Sequence, residues 1–263
     1  LGLISACSPP TEQVAATPPS ETPIVATSPT PECHFTVGFD AWEPYQYIDV
    51  GEQVTGLDIE LIKAVLDHMQ CGVTFKAGQW VSLLGDLKNG QVDVLLGSSK
   101  TAAREEYAYF SQAYRTEEFS LYVRKEDTNL LAINSIASFI DDKHKIGVVA
   151  DYYYGPEVSM LRDGSATAEA FVAALMGEVN VARLLDHNID GFLEDSFVGA
   201  SMLRRKALAD LIVPQGITTQ TGDAHIMFSK QSVSADVVDN FNQALEVVMT
   251  GGQYQQILER YRQ

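Results

Sequence analysis

Five residues in one short stretch carry the strongest chemical signal of the chain: Gly97, Ser98, Ser99, Thr101 and Arg104. Gly97 lets a ligand approach the backbone, Ser98 and Ser99 offer hydroxyls, and Arg104 supplies a planar two-pronged donor. Thr101 is placed to cap a helix that begins at Ala102, whose free amides would point outward beside the guanidinium. Together these groups make a concave anion site, and a carboxylate fits it. The same residues also read as a capped helix with a solvated arginine, and their spacing leaves both readings open.

A second group is aromatic. Trp42, Tyr45 and Tyr47 surround Pro44 in a loop just after a strand that ends at Asp40, an arrangement that suggests a wall on which a ligand can stack; each ring also suits core packing. Trp80 is expected in a later loop. Tyr152 and Tyr153 follow Asp151 in a third loop, before a helix that Pro156 opens at its first position. Glu194 and Asp195 close a strand, so all these groups sit at strand ends or in the loops beyond them.

The elements that must position them alternate. The apolar run at 92–96, after Asn89 and Gly90, reads as a central strand buried on both faces. Before it come a strand from Phe35, a helix opened by Gly56, Leu57 and Asp58 with Ile59, Ile62, Val65, Leu66 and Met69 on one face, a strand at 73–75 and a helix at 81–88. That order is the signature of a parallel α/β sheet with helices on both faces. From Lys145 the alternation repeats: strand 146–150, helix 178–187, strand 189–193. A strand at 224–230 and helices at 235–249 and 254–261 close the chain, and the last helices are expected to pack back on the first half.

Composition sets limits. With 263 residues the chain can form two small domains, and 18 basic against 35 acidic residues, a net charge of −17, argue against nucleic acid and against anionic lipid surfaces as partners. Three cysteines and five scattered histidines give no metal-ligand spacing, so neither metal nor cofactor is expected. Cys33 and Cys71 each precede a strand that would neighbour the other's in the sheet. We expect them to pair, a link worth about 4 kcal/mol in the chain-entropy treatment.

Residues 1–7 look like the end of a signal peptide. Ile4, Ser5, Ala6 and Cys7 resemble the lipobox of bacterial lipoproteins, which implies a diacylated Cys7; an ordinary secretory signal ending near Ala6 is the alternative. Residues 8–32, with Pro at 9, 10, 18, 19, 23, 29 and 31, read as a disordered tether. Stretched out, about 25 residues at roughly 3.3 Å each span on the order of 80 Å.

From Cys33 onward the sequence resembles the bacterial extracellular solute-binding proteins of the polar amino-acid type, the capture subunits of ABC importers. The resemblance rests on Gly38, Asp40, Pro44 and Tyr45; on Gly56 to Leu61; on Trp80; on Gly97, Ser99, Thr101 and Arg104; on Phe110 and Ser111; on Gly147 to Val149; on Asp190 and Asp195; and on Gly252, Tyr254 and Tyr261. It implies a two-lobed, type II periplasmic-binding-protein-like fold with two crossing hinge strands and a cleft between the lobes. Lobe 1 would be residues 33–115 with 224–263, and lobe 2 residues 118–222. It implies that Arg104 grips a ligand carboxylate, that the turn at 97–99 binds polar ends, that Asp195 takes an ammonium group, and that Trp42 and Trp80 wall the side chain. Asp40, Tyr45, Tyr152 and Tyr153 complete the expected lining.

Where this family usually carries Gly-Thr-Thr after the first strand of lobe 2, this chain has Asp151, Tyr152 and Tyr153. Asp151 near a carboxylate would repel it, so a divergent ligand or a shifted pose stays open. The function implied is capture of an amino acid or related small zwitterion or carboxylate by a monomeric, lipid-anchored protein on the periplasmic or extracellular face of the cell envelope, with an ABC permease as partner. Two alternatives remain open: a dehydratase on the same scaffold, using Glu194 and Asp195, and an envelope sensor that presents its closed form to another protein. No nucleophile motif supports catalysis.

Overall fold

In the computed structural model, Gly2 and residues 33–261 are described; the expected lipidation site Cys7 and the tether at 8–32 lie outside them. Apolar runs with no room for a polar face become the middle of a sheet. Strand β1 (His34–Phe39) is followed by a two-stranded hairpin of β2 (Tyr47–Ile48) and β3 (Val54–Thr55), then helix α1 (Leu57–His68), β4 (Gly72–Ala77), α2 (Trp80–Lys88) and β5 (Val94–Ser99). β1 lies between β4 and β5, parallel to both, as the alternation predicts. Cys33 and Cys71, one residue before β1 and β4, form the expected disulfide.

The second alternation comprises α4 (Ile136–Asp141), β8 (Ile146–Val149), α5 (Pro156–Asp163), β9 (Phe171–Ala174), α6 (Gly177–Leu185), β10 (Gly191–Asp195) and α7 (Ser196–Arg205). β8 lies parallel to both β9 and β10. The short α3 (Ala102–Glu105) and β6 (Ala108–Phe110) precede the first of two long strands, β7 (Arg115–Arg124) and β11 (Ile212–Ser229), which run antiparallel to each other. They join the halves into one sheet of order β4-β1-β5-β11-β7-β10-β8-β9, with β6 also on β11. The strand expected at 224–230 is therefore the end of an 18-residue strand. Its first part alternates buried and exposed residues and contains Pro214 and Gly216, which hid it from a search for apolar runs.

Helices α8 (Ala235–Thr250) and α9 (Gln253–Tyr261) return to the first half. Phe241 of α8 packs edge-on against Phe228 of β11 at 4.9 Å, and Arg260 and Tyr261 both reach Glu60 on α1. Phe228 and Phe241 are fully buried, each worth about 1.5–3 kcal/mol in transfer free energy. α7 went unpredicted because Gly199 interrupts its pattern: a Cβ there would lie 2.4 Å from the Tyr122 ring, so the helix meets β7 only where a side chain is missing.

Candidate functional site

The C-terminal end of β5 places the first site residues. The sequence suggests a turn at 97–99, whereas the structure continues β5 through Ser99, and strand alternation then separates the three residues. Gly97 and Ser99 line a cavity between the two halves, while Ser98 faces the other way, fully buried, its hydroxyl without a hydrogen-bond partner among the described residues. Gly97 has φ of 61°, and a Cβ there would stand 2.8 Å from the Arg115 guanidinium and 3.3 Å from Trp42. Only glycine satisfies both the dihedral and the space.

Thr101 caps α3 as expected, its hydroxyl accepting from the Arg104 N–H at 3.3 Å. The Arg104 guanidinium then turns into the cavity. It donates to the Ser99 carbonyl at 2.9 Å and, across the cleft, to the Asp151 carbonyl at 2.8 Å, and it lies 5.4 Å over the Trp80 ring. Arg104 is buried and makes no ion pair among the described residues. Burial pulls its pKa below the ordinary arginine value, against the pull of Tyr107, Glu117 and Asp151. A buried cation met only by carbonyls is electrostatically unfinished, and an anion would complete it.

Trp80 is the first residue of α2, not part of a loop, and its indole N–H donates to the Asp151 carbonyl at 3.3 Å. Trp42 donates across the cleft to Glu194 at 3.0 Å. Tyr152 sits between them, its ring 6.0 Å from each of the two and nearly perpendicular to both. Tyr153, Asp40, Gln46, Leu96, Glu117 and Phe119 complete the lining. The bonds of Arg104 and Trp80 to the Asp151 carbonyl and of Trp42 to Glu194 hold the halves closed on each other.

Tyr45 and Asp195 lie next to this lining without joining it. Tyr45 stacks on Arg115 at 3.9 Å and meets Phe197 of α7 edge-on at 5.7 Å. Asp195 is the N-cap of α7, its Oδ1 accepting from Phe197 N–H at 2.9 Å and Val198 N–H at 3.0 Å. Burial raises its pKa, and Arg115 opposes that shift.

Glu117, on β7, is the acidic residue that the sequence reading missed. It touches Arg115 at 3.5 Å and accepts from Thr221 at 3.0 Å and from Ser99 at 3.5 Å. Desolvation pushes its carboxyl up to about 7, against Arg115, with Asp195 adding to the rise. Burial likewise raises Glu194 to about 8, against the Trp42 hydrogen bond, and Asp40 to about 6, against the amides of Ala41 and Trp80. The usable signal was charge: Arg115, Glu117 and Glu118 head an otherwise apolar strand at the expected crossing. Among the described residues no group of three or more His, Cys, Asp or Glu is placed to hold a metal ion.

Two sets of parallel strands joined by a long antiparallel pair, with a polar and aromatic cleft at the strand ends, define a two-lobed ligand-binding fold. The chain belongs to the bacterial extracellular solute-binding proteins, family 3, whose profile matches residues 35–263. It is similar to the arginine-binding periplasmic protein of Mannheimia haemolytica, 22% identical over 231 residues covering 84% of this chain and 87% of the relative. It is also similar to the L-cystine-binding protein TcyA of Bacillus subtilis (strain 168), 24% identical over 230 residues, 86% of this chain and 80% of that one. In fold it matches an ancestral arginine-binding protein bound to arginine, with a TM-score of 0.76 and 21% identity over 89% of this chain and all of that one. A histidine kinase sensor domain with similarity to periplasmic binding proteins matches with a TM-score of 0.73 and 19% identity, over 89% of this chain and 97% of that one.

Proposed function

We propose that this protein captures an amino acid by closure of its two lobes and presents the closed form to an ABC permease. The observation that carries the reading is Arg104: a buried guanidinium, with no ion pair among the described residues, lines the same small cavity as the buried carboxyl of Glu117. A zwitterion requires one fixed cation and one fixed anion a few ångströms apart. Arg104 takes the ligand carboxylate, and the ammonium group goes to Glu117 with Asp195; burial, with Asp195 adding to it, holds the Glu117 carboxyl up at about 7, and an arriving cation favours its ionised form. Trp42 and Trp80 wall the side chain. Relatives named for arginine, cystine and histidine support an amino acid as the ligand class.

Lobe 1 comprises residues 33–115 with 224–263 and lobe 2 residues 118–222. The strand register supports these limits, because β7 and β11 exchange partners there: Arg115 pairs with Ala224 and Ala224 with Ser99. A lipidated Cys7 holds the protein at the outer face of the membrane. The test is calorimetry of the wild type, Arg104→Ala and Glu117→Gln against the proteinogenic amino acids. A wild-type ligand lost in Arg104→Ala is the expected result. Wild-type affinity retained in both variants would remove this site.

A further inference from the structure

Two neighbouring residues, Asp151 and Tyr152, supply part of the closure of the cleft. Asp151 adopts φ of 59°, a conformation uncommon outside glycine, and so turns its carbonyl to two donors of the opposite half, Arg104 at 2.8 Å and Trp80 at 3.3 Å. Tyr152 then sets its ring between Trp42 and Trp80. An oxygen on the guanidinium and a flat group between two indoles are what a bound amino acid would contribute. Tyr152 also borders a second cavity of similar size on the far side of Trp42, so its ring partitions the cleft.

We propose that Tyr152 is the specificity-determining residue of the cleft: its ring, standing between Trp42 and Trp80, fills the slot of the ligand's side chain, and a ligand binds by displacing it. The inference rests on the amino-acid reading above and adds a selection rule. A side chain long or planar enough to replace the ring between the two indoles is admitted. Glycine and alanine give up the ring's contacts without replacing them and are rejected.

The chain carries two tryptophans, and both touch Tyr152, so intrinsic fluorescence reads the slot without any ligand. Ligand-free wild type and Tyr152→Phe are expected to emit at short wavelength and resist acrylamide quenching. Tyr152→Gly is expected to emit further to the red, to quench several-fold more readily, and to show a larger radius of gyration by small-angle scattering. Circular dichroism checks the fold, and Tyr152→Leu, which keeps apolar bulk but no ring, replaces the glycine variant if that one unfolds. Three proteins with the same emission, quenching and radius would overturn the proposal. In calorimetry, L-alanine should bind Tyr152→Gly about tenfold more tightly than wild type, since the competent state is no longer a minor fraction; unchanged alanine affinity would overturn the selection rule. Should no amino acid bind any of these proteins while the fluorescence differences stand, the amino-acid reading fails and the occupancy by Tyr152 survives.

Discussion

Two buried arginines, Arg104 and Arg115, do opposite things. Arg115 is saturated: Nε and Nη2 reach both oxygens of Asp58 at 3.3 Å, Nη1 reaches Glu117 at 3.5 Å, and the Tyr45 ring lies 3.9 Å from the guanidinium. Burial opposes its charge, yet Asp58, Tyr114, Tyr45 and Glu117 outweigh it, and its pKa lies well above the ordinary arginine value. Arg104 has the same chemistry and similar burial, but among the described residues two carbonyls and the Trp80 ring answer it, and no carboxylate does. The first arginine is a fixed part of the root of β7. The second is held ready for an anion that arrives from outside. What separates them is the company the fold gives each one, since the side chain is the same.

The sharpest way to break this contrast is to remove Asp58. Asp58→Ala leaves Arg115 buried without its main counter-charge and should cost about 3–5 kcal/mol in denaturant unfolding, whereas Arg104→Ala, which removes a charge already lacking a partner, should cost less than about 1 kcal/mol. Equal losses would erase the distinction. Next in size is a pH effect centred on the acids around both arginines. Glu117 at about 7 and Glu194 at about 8 hold their protons more tightly folded than unfolded, where the usual value is near 4.5. The folded state therefore binds more protons across that window, and stability is full below about 4.5 and is lost as pH rises towards 8. Thermal melts from pH 4.5 to 8.5 should fall steadily, and Glu194→Gln should flatten the upper part of the curve.

A third measurement concerns the ligand. Loss of a charge-assisted bond to Arg104 should weaken binding in Arg104→Ala by about 1.5–3 kcal/mol, roughly ten- to a hundredfold, with the melting point of the ligand-free protein nearly unchanged. The smallest effect lies behind Arg104. Thr101→Ala removes the cap that accepts from the Arg104 N–H and should cost about 1 kcal/mol in stability, with a several-fold loss of affinity as the guanidinium loses its fixed root. A cap variant that binds like the wild type would show that the Ser99 and Asp151 carbonyls alone orient the cation.

Much of this architecture was legible beforehand because it depends on local periodicity. The apolar runs that became β5 and β8, the amphipathic α1 and the cap at Thr101 each follow from residues close in sequence, and the Cys33–Cys71 pair, 38 residues apart, follows from the strand that each cysteine precedes. The misses share a cause as well. Ser98 looked like a ligand contact until β5 ran through it and alternation turned it inward, and Trp80, expected in a loop, opens α2. Glu117 drew no notice although Arg115 stands two residues before it, and Asp58 reads only as the opening of a helix, because nothing near Asp58 in the chain reveals the guanidinium that both meet.

The sequence by itself determined which residues could act: a guanidinium on a capped first turn, two indoles, a run of tyrosines where smaller residues are usual, and strands that end beside them. Those are properties of nearest neighbours and of a two- or 3.6-residue period. Only the tertiary structure decided which arginine is neutralised and which is left for a guest, and that Tyr152 stands between Trp42 and Trp80. Charge pairing and desolvation act through space over a few ångströms, and the groups concerned are tens of residues apart along the chain.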